Sequence, residues 1–375
     1  MSATRDYLVR CYVHATQDFY HLSKLHCGLL ELQRLGRIIL RLQSFKPVDG
    51  LTFDPPWTAW WEVEKVRTGE RRLVVIDLAD YTRDVELDAL AHTDIYYKRN
   101  LCPVDLPGVP ESDAAKIRPF GLNYHCRARR QIATILPRVV PRLLILTCRS
   151  PKREAKVFRK RLFAMRQFLG VLPVEHYEQS PDRPVEPVVF FQAQVFPPSQ
   201  RRPDEDEATN LPRAELVRAL RKEFRHRFWG GLIPDEYSRR RFPDALSELS
   251  PRSSEYIAAG KRALVGIASA ACVRTSSCRL AEYLAASRCI VSEPLRNSLP
   301  VQLVENVHYL GFRSVNECIA KCALLLEDRS RAEEMRRKNW EYYINEVAPV
   351  KHVHNLLERA FRDDVHLEGY VHVKD

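Results

Sequence analysis

Glycine is scarce in this chain, 13 in 375 residues, and nowhere does it take the spacing of a dinucleotide-binding fingerprint or a Walker loop. Proteins that cradle phosphates in a glycine-rich turn are thereby excluded. Serine, histidine and aspartate do not fall in the order of a hydrolase triad. Long apolar runs are missing as well: Leu143 to Leu146 and Cys322 to Leu326 are far too short to cross a bilayer. The opening MSATRDYLVR lacks the apolar region of a secretory signal, so a soluble cytoplasmic protein is expected. There is no heptad array and no internal repeat, and low complexity is confined to the acidic stretch Pro203 to Glu207.

The 10 cysteines are scattered. Cys318 and Cys322 are four apart and Cys272 and Cys278 six apart, without companion His or Cys at zinc-ligand spacing. Buried free thiols in a reducing compartment are expected, with no structural metal.

What the chain does have is length and positive charge. With 375 residues and 45% hydrophobic content it can build two domains, each with its own core. Lys plus Arg number 59 against 48 Asp plus Glu, a net charge of +11 that suits an anionic partner. Only 14 of the 59 are Lys, and Arg-heavy usage also follows from genome base composition. Nucleic-acid binding through Arg218 to Arg227, with Arg159 to Arg166 contributing, is disfavoured because aromatic stacking residues are not interleaved with the Arg. No nucleic-acid partner is expected. Peripheral membrane contact through the same basic helices suits a lipid-linked partner.

Strand and helix patterns alternate in the first half. Asp6 to His14, Ile38 to Leu42, Trp60 to Val66, Leu73 to Leu78 and Thr93 to Tyr97 read as strands. Asp18 to Leu35 carries a helical apolar period, and Val85 to Ala91 is a short helix. Thr68-Gly69-Glu70 predicts a hairpin, so an otherwise parallel α/β sheet becomes mixed. Around Ser180 to Pro187 prolines crowd and periodicity stops, which places a boundary between domains 1–184 and 185–375. Beyond it, Val188 to Val195 is a buried strand and Leu211 to Phe228 a basic amphipathic helix ended by Gly230-Gly231. Capping-box spacing at Ser314/Glu317 and Ser330/Glu333 starts helices Val315 to Leu326 and Arg331 to Glu346, and Pro349 ends the second.

From about Lys261 to Leu357 a set of elements follows in order: the strand ALVGIAS, the loop AACVRTSS, the helix RLAEYLAAS, the strand CIVSEPL, the short strand HYLGF, and the helices SVNECIAKCALLLED and SRAEEMRRKNWEYYINEV. This block resembles the C-terminal domain of GT-B glycosyltransferases, in their group-1-like and spore-maturation-like branch. VVFFQAQVF and LPRAELVRALRKEF resemble the opening strand and helix of the same domain. The resemblance implies two facing Rossmann-like domains and a hexosyltransferase-like enzyme. A nucleotide-sugar donor would bind in the second domain as co-substrate, with no cofactor, and a glycan, polysaccharide or glycolipid acceptor in the first.

A diphosphate needs donors and positive charge, which a helix N-terminus supplies. On this reading Thr275, Ser276 and Ser277 cradle the diphosphate and Arg274 or Arg279 offsets its charge. The resemblance implies that Glu282 binds the ribose; the plainer alternative is a dipole-stabilised Glu paired with Arg279. Single hydroxyls there also serve as ordinary N-caps. The Arg and Lys that many retaining members carry after the first strand of this domain are replaced by Gln192, Ala193 and Gln194, with Arg201 and Arg202 further along; Arg213 and Arg218 are candidate substitutes, against the plainer role of a solvated helix face. Asp204-Glu-Asp206 matches a metal-binding triplet in letters but lies in the acidic loop, so a metal-independent reaction is expected.

In the first domain, ligands gather at the carboxyl ends of parallel strands. His14 oriented by Asp18 is the candidate general base, against a strand end and a helix cap. Asp77 and Asp80, in VVIDLAD, are candidates to hold an acceptor sugar or to act as an alternative base, or simple turn formers. Lys98 and Arg99, in YYKR, suit an anionic group or a surface charge pair. The alternative to an enzyme is a catalytically degenerate GT-B-like binding protein, with the missing clamp as its signature.

Overall fold

The computed structural model describes residues 5–44, 56–106, 108–149, 162–199, 203–250, 253–269 and 275–362. The chain forms two units. The first comprises 1–174, 298–300 and 348–375, the second 175–297 and 301–347. The division falls at 174/175 rather than 184/185, and the chain from Ala348 on groups with the first unit.

In the first unit, β1 (Tyr7–Val13) alternates buried and half-buried residues, the two-residue period of a strand. It is followed by α1 (Ser23–Arg34), β2 (Ile38–Ser44), β3 (Thr58–Lys65) and β4 (Arg71–Asp77). Next come α2 (Leu87–Ala91), β5 (Ile95–Lys98), α3 (Glu111–Ala114), β6 (Ile117–Pro119), α4 (Gln131–Arg149) and a helix α5 over residues 162–169. The sheet order is β2-β1-β3-β4-β5-β6. Every neighbouring pair is parallel except those of β3, which runs antiparallel to β1 and β4. The hairpin expected at Thr68 to Glu70 makes the sheet mixed, with Gly69 at φ +72 in its turn.

The helix expected from Asp18 starts only at Ser23. The Asp18 carboxylate accepts the backbone N–H groups of Tyr20 (3.0 Å) and His21 (3.2 Å), a local turn that competes with helix formation. α12 (Pro349–Arg359) completes this unit. Pro349 therefore opens a helix at its first position instead of only ending one. α12 lies against α1 so closely that a Cβ on Gly28 would collide with the Pro349 carbonyl oxygen and the Val353 side chain. Lys24 of α1 donates to the Leu122 carbonyl at 2.6 Å and to Nδ1 of His352, whose Nε2 donates to the Phe120 carbonyl at 2.8 Å.

Three histidines of this unit are depressed by burial: His26, to about 4, His352, where Lys24 adds to the effect, and His125. Each stays neutral in the fold, whereas an unfolded histidine takes a proton below about pH 6.5. The unfolded chain then binds more protons, so stability is full above pH 6.5 and falls as pH drops. The slope is up to about 1.4 kcal/mol per pH unit for each histidine. Urea midpoints compared at pH 7.5 and pH 5 test this; an unchanged midpoint contradicts it.

The second unit contains β7 (Glu186–Ala193), α6 (Leu211–Phe224), β8 (Phe228–Leu232), α7 (Glu236–Arg241), α8 (Ser253–Arg262), β9 (Ala263–Ala268), α9 (Cys278–Ala285), β10 (Cys289–Ser292), β11 (Leu310–Gly311), α10 (Val315–Glu327) and α11 (Arg329–Tyr342). Its five strands are all parallel, in the order β11-β10-β9-β7-β8. The order reverses between β7 and β9, the kind of switch point beside which open α/β sheets bind ligands. Together the two sheets give the α/β, two-Rossmann-like-domain class expected.

Two expected boundaries move. The helix from Leu211 stops at Phe224, because Arg225 sits at φ 49 and breaks it. Phe228 to Leu232 is then a strand, with Gly230 so close to β7 that a Cβ would meet the Phe191 carbonyl. At α11 the cap is Asp328, which accepts the Arg331 N–H at 3.0 Å, rather than Ser330. Ser314 caps α10 as expected, accepting from the Glu317 N–H at 3.2 Å. The described cysteines with free thiols include Cys11, Cys289, Cys318 and Cys322, all buried.

Candidate functional site

Strand β9 ends at Ala268, β10 at Ser292 and β11 at Gly311. Around these carboxyl ends and the N-terminus of α9 lies a cavity of about 410 Å³. Its wall is made by Ser269, Thr275, Ser276, Ser277, Leu280, Ser292, the run Glu293 to Asn297, Phe312 and Arg313. The sequence places it there because a parallel sheet needs helical crossovers, and each crossover begins just past a strand end.

Ser277 caps α9, its hydroxyl accepting the Arg279 N–H at 3.3 Å. Ser276 donates its backbone N–H (2.8 Å) and its hydroxyl (2.9 Å) to the carboxamide oxygen of Asn297. Two buried polar atoms of the wall, Asn297 Nδ2 and Ser269 Oγ, have no hydrogen-bond partner among the described residues. Arg296 and Arg313 are exposed at the wall and add positive charge. Donors, a helix N-terminus and two guanidinium groups make the cavity suited to an anion with several acceptor oxygens.

Of the expected donor residues, Thr275, Ser276 and Ser277 line this cavity. Arg274 lies outside the described residues, as do Arg201 and Arg202. Arg279 and Glu282 do not line it. Glu282 accepts the Tyr256 hydroxyl at 3.0 Å, between α8 and α9. Burial raises its carboxyl pKa, while Arg279 and the Tyr256 hydroxyl pull it partway back. Arg213 and Arg218 do not replace the missing clamp: Arg213 donates to the Gln194 carbonyl at 2.5 Å, and Arg218 pairs with Asp244 at 2.5 and 3.0 Å. Gln192 is fully buried and neither of its amide atoms has a partner among the described residues. Asp206 is engaged by Asn210 at 2.8 Å, by Arg241 at 3.4 Å and by the Tyr237 hydroxyl. Among the described residues no group of three or more His, Cys, Asp or Glu could hold a metal.

The first unit gathers a separate cluster beyond the ends of β1, β5 and β6. Asp18 does not orient His14, whose Nδ1 faces the Thr16 hydroxyl at 2.5 Å. It orients His21 instead, with Nδ1 to Oδ2 at 2.9 Å. Burial alone would raise Asp18, but its bonds to His21 and to the Tyr20 amide outweigh this and hold it below the ordinary carboxylate range. The His125 ring stacks on Tyr20 at 3.8 Å and stands edge-on to His21 at 5.3 Å. Burial, then His21 and Arg99, keep His125 neutral, and its Nε2 has no partner among the described residues.

Asp77 and Lys98 are fully buried and paired at 3.0 Å, so neither is open to an acceptor. Tyr96 donates its hydroxyl to Asp77 at 2.8 Å. Asp80 is the exposed partner of Arg99, at 2.9 Å. Sequence reasoning missed His21, His125, Ser269, Glu293, Arg296, Asn297 and Arg313. The spacing of Asp18 and His21, three apart, and the polar run SEPLRN directly after a buried strand were the available signals.

A family model described as glycosyl transferase-like matches residues 210–358. Among solved structures, the C-terminal domain of a glycosyl transferase group 1 family protein from Francisella tularensis is similar at 8% identity and a TM-score of 0.33, over 46% of this chain and 96% of that one. S. aureus TarM, solved with fondaparinux, alpha-GlcNAc-glycerol and UDP, is similar at 8% identity and a TM-score of 0.40, over 82% of this chain and 65% of that one. Anabaena HepE in complex with UDP gives 9% identity and a TM-score of 0.37, over 94% and 98%. A search of curated proteins gives no match. Identities this low transfer no site residue to this chain. What is shown is a similarity confined to residues 210–358, which match the glycosyl transferase-like family model.

Proposed function

We propose that the protein is a glycosyltransferase that takes a sugar from a nucleotide-diphosphate donor held at the second unit's cavity and passes it to a hydroxyl of a glycan, polysaccharide or glycolipid. The observation that carries this reading is the cavity itself. A helix N-terminus, buried donors and two arginines meet at the carboxyl ends of parallel strands inside a glycosyl transferase-like domain.

His21 is the first unit's proton acceptor on this reading. Its Nδ1–H donates to Asp18, which leaves the Nε2 lone pair for the acceptor hydroxyl. The acceptor oxygen attacks the anomeric carbon, the bond from that carbon to the diphosphate oxygen breaks, and the hydroxyl proton passes to Nε2. The leaving diphosphate takes the bonding pair, and its charge is met by the α9 N-terminus with Arg296 and Arg313, which makes the step metal-independent. Such a single displacement inverts the anomeric centre. No cofactor enters, the nucleotide-sugar being a co-substrate. A cytoplasmic location supplies that donor, and a lipid-linked acceptor would bring the exposed Leu162 and Phe163 of α5 to the membrane surface.

A thermal-shift screen against UDP, GDP, ADP, dTDP and CMP tests the donor site. One diphosphate at ~100 times its dissociation constant is expected to add about 2.7 kcal/mol of stability. Arg296→Ala combined with Arg313→Ala is expected to lose much of that response. If no nucleotide moves the melt, the donor reading falls. Gln192, without a partner among the described residues and standing where a basic clamp was expected, favours the alternative of a binding protein without transfer. Donor hydrolysis or transfer by the purified protein separates the two.

A further inference from the structure

We propose that Asn297 and Ser269 are the neutral donors that bind the diphosphate, in place of the basic clamp that this chain lacks. This rests on the nucleotide reading of the cavity and adds the residues that read its anion.

Asn297 is 4% exposed and Ser269 is 5% exposed. The two come from different stretches, Ser269 just past β9 and Asn297 five residues past the end of β10. The carboxamide oxygen of Asn297 is already committed, accepting both the N–H and the hydroxyl of Ser276. That pair of hydrogen bonds from Ser276 fixes which way the amide faces, because the oxygen cannot turn away without losing both donors. Both residues line the cavity, and neither the Asn297 NH2 group nor the Ser269 hydroxyl has an acceptor among the described residues. A buried donor without an acceptor is costly, and the cost is recovered when an acceptor-rich group arrives. Phosphate oxygens are such acceptors, and the α9 N-terminus beside them favours the same charge.

Asn297 thus has two tasks. Its oxygen positions the segment leading into α9, and its nitrogen binds the ligand. The substitution Asn297→Asp separates them, since a carboxylate keeps an acceptor for Ser276 but turns the NH2 donor into a charge that repels phosphate. Ser269→Ala removes a hydroxyl that holds nothing in the described structure, so its effect is confined to binding.

The test is calorimetric titration of wild type, Asn297→Asp and Ser269→Ala with UDP, ADP and GDP, using the matching nucleosides as controls, together with a thermal melt of each protein. The expected result is a loss of about ten-fold or more in diphosphate affinity for each variant, the worth of one hydrogen bond to a charged group. Nucleoside affinity stays unchanged, and the Ser269→Ala melt stays within a few degrees of wild type. If both folded variants bind the diphosphate like wild type, the assignment is overturned. If Asn297→Asp does not fold, Ser269→Ala decides alone, with undiminished affinity overturning the proposal. If wild type itself binds no diphosphate, it is the donor reading that fails, a different outcome from the variants matching a wild type that binds.

Discussion

His21→Gln is expected to lower the rate of sugar transfer by about 100-fold or more, the usual contribution of a positioned general base, while leaving nucleotide binding in the second unit intact. Glutamine occupies nearly the same volume and can still hydrogen-bond, but it cannot carry the acceptor's proton at neutral pH. The geometry singles out His21 because Asp18 Oδ2 accepts from its Nδ1 at 2.9 Å, which sets the tautomer with the lone pair on Nε2. Asp18→Asn is expected to reduce the rate as well, by offering a donor where the ring needs an acceptor. His14→Gln is expected to act only weakly, because His14 faces Thr16 rather than Asp18. Transfer to a hydroxyl acceptor and thermal response to nucleotide are to be measured on all three. A His21→Gln protein with full transfer activity removes the base from the mechanism and leaves the donor site standing.

Asp77→Ala is expected to cost about 3–5 kcal/mol of stability, because it leaves Lys98 charged and buried with its counterion gone. Both side chains of the pair are fully buried, at 3.0 Å. Asp77 also accepts the Tyr96 hydroxyl at 2.8 Å and the Ala79 N–H at 2.7 Å, so the substitution strands three donors at once. Burial and the adjacent Asp77 charge together push the Tyr96 phenol well above its ordinary value, which keeps that donor protonated. Replacing the pair together, Asp77→Leu with Lys98→Met, is expected to cost much less than Asp77→Ala alone, since no unpaired charge remains. Urea denaturation checks both. An Asp77→Ala protein as stable as wild type but deficient in acceptor binding would return Asp77 to the site.

Much of the α/β pattern was legible in the chain. The two-residue alternation of Tyr7 to Val13 and the apolar run Cys289 to Ser292 are strands because those periods bury one face or both. Where local patterning failed, backbone competition decided. The Asp18 carboxylate diverted Asp18 to Leu22 into turns, and a positive φ at Arg225 released Phe228 to Leu232 into a strand. The candidate sites were half legible. Thr275, Ser276 and Ser277 line the cavity because a strand-to-helix connection in a parallel sheet must pass its ligand-binding end.

By itself, then, the sequence determined the periodic elements, the hairpin that mixes the first sheet and the hydroxyl-rich start of α9. Each of these is a property of neighbouring residues. Only the tertiary structure decided which carboxylate meets which cation or ring. Lys98 meets Asp77 across adjacent strands, Asn297 meets Ser276 from 21 residues away, and Glu282 turns to Tyr256 rather than to the cavity. Side-chain partners across a fold are fixed by strand order and helix packing, and no local spacing in the chain encodes those.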